Sequence, residues 1–417
     1  MIAVVPTSLD REDKRRWAGK ILFFLLSFLA LTLPFDGYNV LGLGSLFRFM
    51  GLFVLVTFFL LLLANWRLMR KLIEKLNNII SFSILLFVFW SGVTIFWAPN
   101  PEWAFTRLLS YFGLLGITFA TALLSPAAVA RLWVALVLGV AISIPLGFVL
   151  PHPNPLVAES GRFSSGGKDP NDYANLALIA FVVCNFGTLA YAVRRKRGIS
   201  FLLPWIAIIA IPLSGSRTAL INVIATVSLG LLRKGLRGVI YLLVIIGLSA
   251  VGFFSFSENT YVSTFINRAS SLTDLQSEDT WAGRLDIWQA AWQVFTEHPL
   301  GGVGLANFAW VSPNYSSTAA YISSLREDGG GGVAHNSFLS VLAETGLIGF
   351  MLFLLLQASV FLHLWRLRRQ EPLAWSLILG LVSYWIASLA LTWEYNKIAF
   401  FLYGSALALK SRGRNEA

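Results

Sequence analysis

The chain has 417 residues, 56% of them hydrophobic and only 13% charged, with a formal net charge of +11. Soluble domains carry about 25% charged residues; here the charges cluster between apolar runs long enough to cross a bilayer. That excludes a soluble enzyme, a disordered chain and a coiled coil, and the single cysteine, Cys184, leaves no internal disulfide and no thiolate metal cluster.

Twelve apolar runs are expected to span the membrane, at residues 18–35, 45–64, 79–98, 108–124, 132–150, 174–193, 199–213, 218–232, 239–256, 346–365, 373–391 and 398–409. Most have the length of a transmembrane helix; the seventh, eighth and twelfth are short. The first follows a basic tail but no small-residue cleavage site, so it reads as a retained helix rather than a removed signal peptide. The expected fold class is an all-α polytopic membrane protein, about 12 transmembrane helices with one large, partly helical periplasmic loop. It divides into an N-terminal membrane bundle (1–256), the loop (257–345), and C-terminal spans with a tail (346–417).

Charge orients the chain. The N-terminal tail, alternate loops and C-terminal tail hold most of the 32 Lys and Arg, including Arg67, Arg70, Lys71, Lys75, Arg366, Arg368 and Arg369. The other face holds Arg48, Arg107, Arg162, Lys168, Arg217, Arg268, Arg284, Arg326 and Lys397. Both termini are then expected in the cytoplasm, and the large loop outside, in the periplasm of a Gram-negative cell. The net charge reports topology, not nucleic-acid binding. No Asp, Glu, Lys or Arg falls at the middle of an expected span, which argues against ion-coupled transport. No internal repeat suggests an inverted-repeat transporter.

Four outer segments differ from ordinary connectors. Residues 161–172 run Gly161-Arg162-Phe163-Ser164-Ser165-Gly166-Gly167-Lys168-Asp169-Pro170-Asn171-Asp172. The glycines let backbone N–H groups approach an anion, with Arg162 and Lys168 adding charge; the same pattern also suits a flexible loop before a helix start. Ser214-Gly215-Ser216-Arg217-Thr218 is squeezed between two short spans. Arg217 there meets a carboxylate, a helix C-terminus or an anionic ligand near the membrane surface.

The third segment, Gly283-Arg284 through Phe295, repeats Leu285, Trp288, Trp292 and Phe295 on one helical face, which reads as packing. Arg284 sits at the start of that helix, where free N–H groups already favour an anion. His298-Pro299 reads as its terminating turn. The fourth, His335-Asn336-Ser337-Phe338, follows a glycine run at 329–332 and stands before the tenth span; His335, Leu339 and Leu342 share a helical face, and Gly346 with Gly349 lets neighbouring helices approach closely. His335 has a side chain suited to proton transfer near neutral pH, and it stands at the mouth of a bundle that also presents three arginines.

No metal-ligand set, P-loop or dinucleotide fingerprint is visible in the sequence. An outward-facing site has no ATP, so bond formation there must draw on the substrate. An activated lipid with a diphosphate leaving group fits an arginine-rich pocket at a membrane surface.

The segment His335-Asn336, nine residues, then Gly346-Leu347-Ile348-Gly349 resembles the His-[Asn/Ser/Gln]-x9-Gly-x-x-Gly motif of bacterial O-antigen ligases. Gly283-Arg284 through Gly304 is similar to the arginine-helix-His-Pro-Gly segment of the wider ligase/polymerase superfamily. The resemblance implies a GT-C-type glycosyltransferase of the bacterial inner membrane with a periplasmic active site and no metal, ATP or cofactor. It would move a glycan from undecaprenyl diphosphate to a sugar hydroxyl of lipid A–core, in lipopolysaccharide biosynthesis, inverting at the anomeric carbon. In that reading Arg217 and Arg284 hold the diphosphate, Arg162, Lys168 and Asn336 help to bind substrate, and His335 is the base or a phosphate-orienting group. The alternatives are an O-antigen polymerase or a protein O-oligosaccharyltransferase with the same donor, and, outside this class, a lipid-linked glycan transporter.

Overall fold

A computed structural model describes residues 8–38, 45–150, 152–153, 157, 162–188, 203–232, 235 and 282–410. Among these residues every regular element is helical. In hydrocarbon a helix satisfies its backbone groups within one segment, so Leu-, Phe- and Ile-rich runs adopt it. In chain order they are α1 (Ser8–Thr32), α2 (Leu46–Ala64), α3 (Trp66–Leu76), α4 (Ile79–Val93), α5 (Pro101–Ala122) and α6 (Pro126–Val149). There follow α7 (Pro170–Val183), α8 (Leu203–Ile208), α9 (Ala210–Ser214), α10 (Arg217–Leu232), α11 (Ala282–Glu297) and α12 (Phe308–Val311). The last are α13 (Ser317–Ser324), α14 (Ser337–Leu367), α15 (Pro372–Ser388) and α16 (Lys397–Ala408).

Their starts are written locally. Asn100-Pro101, Ser125-Pro126 and Asp169-Pro170 each put a capping side chain before a proline at the first helical position. The caps accept from Trp103 N at 3.1 Å, Ala128 N at 3.3 Å and Asn171 N at 2.8 Å. The described part of each expected span but the ninth is largely helical; 189–193 of the sixth, 199–202 of the seventh and all of the ninth, 239–256, lie outside the described residues, as do Gly161 and 257–281 of the large loop. Among the described residues, six helical runs are long and apolar enough to cross a membrane, and four apolar helices are shorter. The chain has the makeup of a multi-pass membrane protein.

α7 is the axis of the bundle. From Tyr173 to Cys184 every side chain is buried, the mark of a helix apolar all round and enclosed on every side. It packs against α6, α8, α9, α10 and α15, while α1 lies on α6, α4 on α14 and α5 on α16. Asn222 of α10 donates to Asn175 of α7 at 2.9 Å and to the Ser383 carbonyl of α15 at 2.8 Å, polar glue that lipid cannot supply. Because α7 is central, its N-terminal turn and the loop before it lie in the middle of one end of the bundle.

Over that end sits a small cap with its own core, including Ile287, Ala290, Ala291 and Val294 of α11 with Val303, Phe308 and Ala334. It is pinned to α14 at a break. Gly346, at φ 65 and ψ −170, interrupts α14 one turn past Leu342. The groups freed there pair with the cap: Leu347 N donates to Pro299 O at 2.8 Å, and Val303 N and Gly304 N donate to Ala343 O and Glu344 O at 2.9 and 2.8 Å. A Cβ at Gly346 would lie 2.2 Å from the Leu300 carbonyl oxygen. The glycine read in sequence as a helix-approach residue is therefore a break that docks a loop, tolerated at depth because protein encloses it.

Candidate functional site

Residues 162–172 form the strip on which the singled-out segments meet. Arg162 donates from Nε to the Ser214 carbonyl at 3.0 Å and from Nη2 to Asn171 Oδ1 at 2.9 Å. Phe163 N donates to Leu213 O at 3.0 Å. These bonds clasp the strip to the α9–α10 turn, where Gly215 takes the left-handed φ of 61 that ends α9. Arg217 opens α10 immediately after this turn, half-buried. Arg162 and the Arg217 turn are thus neighbours.

His335 stands on the other side of the strip. Its own φ is 47, a conformation non-glycine residues seldom adopt. Two anchors hold it. Asn336 caps α14, its Oδ1 accepting from Phe338 N at 3.0 Å and Leu339 N at 3.2 Å. The Ala334 carbonyl accepts from Trp288 Nε1 at 2.8 Å. Trp288 and Arg284 are four residues apart on α11, hence on one face, so the bond that fixes the histidine turn also brings Arg284 towards it. Burial and then the nearby Arg284 charge pull the His335 pKa down to about 4, against an opposing pull from Asp169. The imidazole is neutral at pH 7.

The strip reaches the histidine turn through one indole. Trp393 Nε1 donates to Asp172 Oδ1 at 2.7 Å, and Trp393 N donates to Ser337 Oγ at 2.6 Å. Burial, then the Asp169 charge, pushes the Asp172 carboxyl up to about 6, with Lys168 and the indole N–H opposing. Lys168 lies 3.6 Å from Asp36, which Lys397 also contacts, so its charge is shared with that carboxylate. The two cations outweigh burial and hold Asp36 below the usual carboxylate range. The glycines next to Lys168 are spent on packing: a Cβ at Gly166 would meet the Pro34 carbonyl oxygen at 1.8 Å, and Gly37 N donates to Gly166 O at 2.7 Å.

One expectation for α11 needs correcting. Leu285 and Trp292 are 50% and 55% exposed, and the buried face is Ile287, Ala290, Ala291 and Val294. Small alanines admit the cap loop closely, so Leu285 and Trp292 of the expected stripe face outward, while Trp288, half-buried, bonds into the cap at Ala334. His298 does follow the last turn, its N–H bonded to Val294 O at 3.0 Å.

With this geometry in place, the comparison with known families is direct: residues 201–354 match the O-antigen ligase family. That match supports a place for this segment in the O-antigen ligase/polymerase superfamily. No curated protein matches the chain significantly. The ligase-family segment contains Arg217, Arg284, His335, Asn336 and Gly346; Arg162 reaches it from outside through the Ser214 carbonyl and Asp172 by way of Trp393, whereas Lys168 pairs with Asp36. Members of this superfamily are glycosyltransferase-like enzymes acting on lipid-linked glycans.

Beside the ligase-family residues lies a charged cluster that the sequence reading missed. Arg107 of α5 rests over the Tyr395 ring, 3.4 Å from its centroid. Near it are Glu344 of α14 and Glu394, which is 4% exposed. Glu344 Oε2 accepts from Ala306 N at 2.8 Å, and Glu394 Oε1 accepts from Ser340 Oγ at 3.1 Å. Glu394 Oε2 has no hydrogen-bond partner among the described residues. The fourth and tenth spans, read from their hydropathy as starting at 108 and 346, begin as helices at Pro101 and Ser337. Arg107 and Glu344 therefore lie inside helices, not on connecting segments.

Proposed function

We propose that this protein is an O-antigen ligase of the bacterial inner membrane. It transfers a glycan from undecaprenyl diphosphate to a sugar hydroxyl of lipid A–core on the periplasmic face, without metal or ATP and with inversion. The observation that carries the reading is the strip at 162–172, bonded to the Arg217 turn through Arg162 and to the His335 turn through Asp172 and Trp393. That arrangement gathers guanidinium groups and a neutral imidazole at one end of the bundle.

The chemistry follows from those groups. The acceptor oxygen attacks the anomeric carbon as the bond to the diphosphate oxygen breaks, and the electron pair leaves on the diphosphate. Arg217 and Arg284 stabilise that growing charge, and planar guanidinium forks suit it better than point charges. Arg162 and Lys168 add positive field, and Asn336 holds the histidine turn and offers its amide N–H to substrate. His335 takes the hydroxyl proton. Diphosphate is a good leaving group, so a base is the more useful proton-transfer group. Without donor His335 is a weak base. A bound diphosphate offsets the Arg284 charge and strengthens it, so the base becomes effective when donor is present.

The test is purified protein with undecaprenyl-diphosphate glycan and lipid A–core, in EDTA. Glycan-modified lipid A–core, lost on Arg217→Ala, Arg284→Ala and His335→Ala and poorly rescued by Arg→Lys, is the expected result. Donor binding should survive His335→Ala if that residue is the base. Lengthening of the lipid-linked glycan itself would assign a polymerase, and transfer only to a Ser or Thr side chain a protein O-oligosaccharyltransferase. Near-normal turnover by both arginine variants would sink the diphosphate clamp.

A further inference from the structure

The helix α3 lies at the end of the bundle opposite the candidate site. α2 is capped by Ser45, whose hydroxyl donates to Asp36 at 2.8 Å, and α16 begins at Lys397, on the same carboxylate. Both helices then run away from the site, and their far ends converge on α3. Lys75 donates to the Leu407 carbonyl, and Lys410 Nζ lies 3.9 Å from Glu74 Oε2.

At 11 residues α3 is too short and too charged to span, and none of its residues is buried. Leu68, Met69 and Leu72 pack partly against the bundle core. Trp66, Ile73 and Leu76 continue that apolar face and stay exposed, Trp66 at 73%. Arg67, Arg70 and Lys71 are exposed on the other side of the helix. The only acid there is Glu74, and its 3.8 Å pair with Arg70 is solvent-open on both sides, so it neutralises little. Lys75 and Lys410 add to the surplus. The cations crowd one another: burial, then Lys410 and Lys71, lower the Lys75 pKa to about 8. An anion placed among them relieves that repulsion.

Exposed apolar and cationic stripes on one short helix between two spans fit the plane of a membrane interface. A soluble anion would satisfy the cations and leave Trp66 and Ile73 in water; a phospholipid satisfies both stripes. We propose that α3 is an in-plane helix that binds anionic phospholipid headgroups through Arg67, Arg70 and Lys71, with Trp66, Ile73 and Leu76 in the acyl boundary. This stands whether or not the transfer reaction proposed above is correct.

The experiment captures full-length protein from mixed micelles holding equal phosphatidylglycerol and phosphatidylcholine, and quantifies the bound lipids by mass spectrometry. Wild type should retain phosphatidylglycerol preferentially. R67Q/R70Q/K71Q should lose the preference by about fivefold per removed charge, and R67K/R70K/K71R should keep it. The triple glutamine variant should keep wild-type transferase activity, because it touches nothing at the opposite face. Should it not remain folded, salt on the wild type serves instead: raising ionic strength should erase the preference. Equal retention of the two lipids by wild type would overturn the proposal. So would a preference indifferent to both the substitutions and salt.

Discussion

At the scale of single residues, His335 shows how placement sets chemistry. A histidine with a φ of 47 is held between an N-cap and a tryptophan bond, where burial and then the Arg284 charge depress its pKa to about 4. The sign of the pH effect follows. A pKa below the ordinary histidine value means the imidazole sheds its proton at lower pH, so the donor-free enzyme has its base form ready at every pH well above about 4. Bound diphosphate favours the imidazolium and moves that pKa up. The acid limb of kcat, which reports the donor-bound enzyme, is therefore expected at higher pH than the acid limb of kcat/KM, which reports the free enzyme. Arg284→Gln should raise the pKa of His335 in the donor-free protein, read by NMR of the labelled imidazole. Coincident limbs in the wild type and an unmoved imidazole in the variant would remove the base role. A histidine at the mouth of a bundle was legible as a candidate from sequence; its left-handed backbone was not, because nothing in His-Asn-Ser states a φ.

Between elements, the deciding contact is Trp393. Its indole bonds the α7 entrance, its backbone bonds the α14 entrance, and its ring stacks on Tyr384 at 6.3 Å. Trp393→Phe keeps an apolar ring but removes the N–H that satisfies Asp172. The carboxylate then loses the bond that opposes its burial, so its pKa should rise further above about 6. The strip at 162–172 loses its tie to the histidine turn. Donor KM is expected to rise several-fold with kcat less affected and the protein still folded, since the change disturbs position and not the reacting groups. An equal fall of kcat with KM unchanged would assign Trp393 to the chemistry instead. Helix entrances such as Asn100-Pro101 were readable from local capping chemistry, and so was the short helix between His335 and Gly346. What could not be read was that the freed groups at Gly346 are taken up by the cap loop, a pairing between distant segments.

At the scale of the whole molecule, hydropathy marked apolar runs that fold as helices, six of the described ones long enough to cross a membrane, because bilayer thickness sets the length of such a run. It was blind to charges near the ends of those runs. Arg107, Glu344 and Glu394 stand far apart in the chain and become neighbours only when α5, α14 and the α15–α16 turn pack together. Removing the cation should leave two buried carboxylates unbalanced, so Arg107→Gln is expected to lower thermal stability in detergent by about 3 kcal/mol. The R107Q/E394Q double variant should recover part of that loss, and strict additivity would show that the charges are not coupled. The packing also makes the proposed orientation testable. α2 and α16 each carry the chain from the Asp36 carboxylate to α3, so the site end and the α3 end are on opposite faces. The one native thiol, Cys184, is buried in the bundle axis and should not react. A cysteine replacing Arg326, exposed on the cap, is expected to be labelled in intact spheroplasts by a membrane-impermeant maleimide. One replacing Arg67 should label only after permeabilisation. The reverse pattern would put the arginines and His335 in the cytoplasm, and the proposed periplasmic transfer would fail with it.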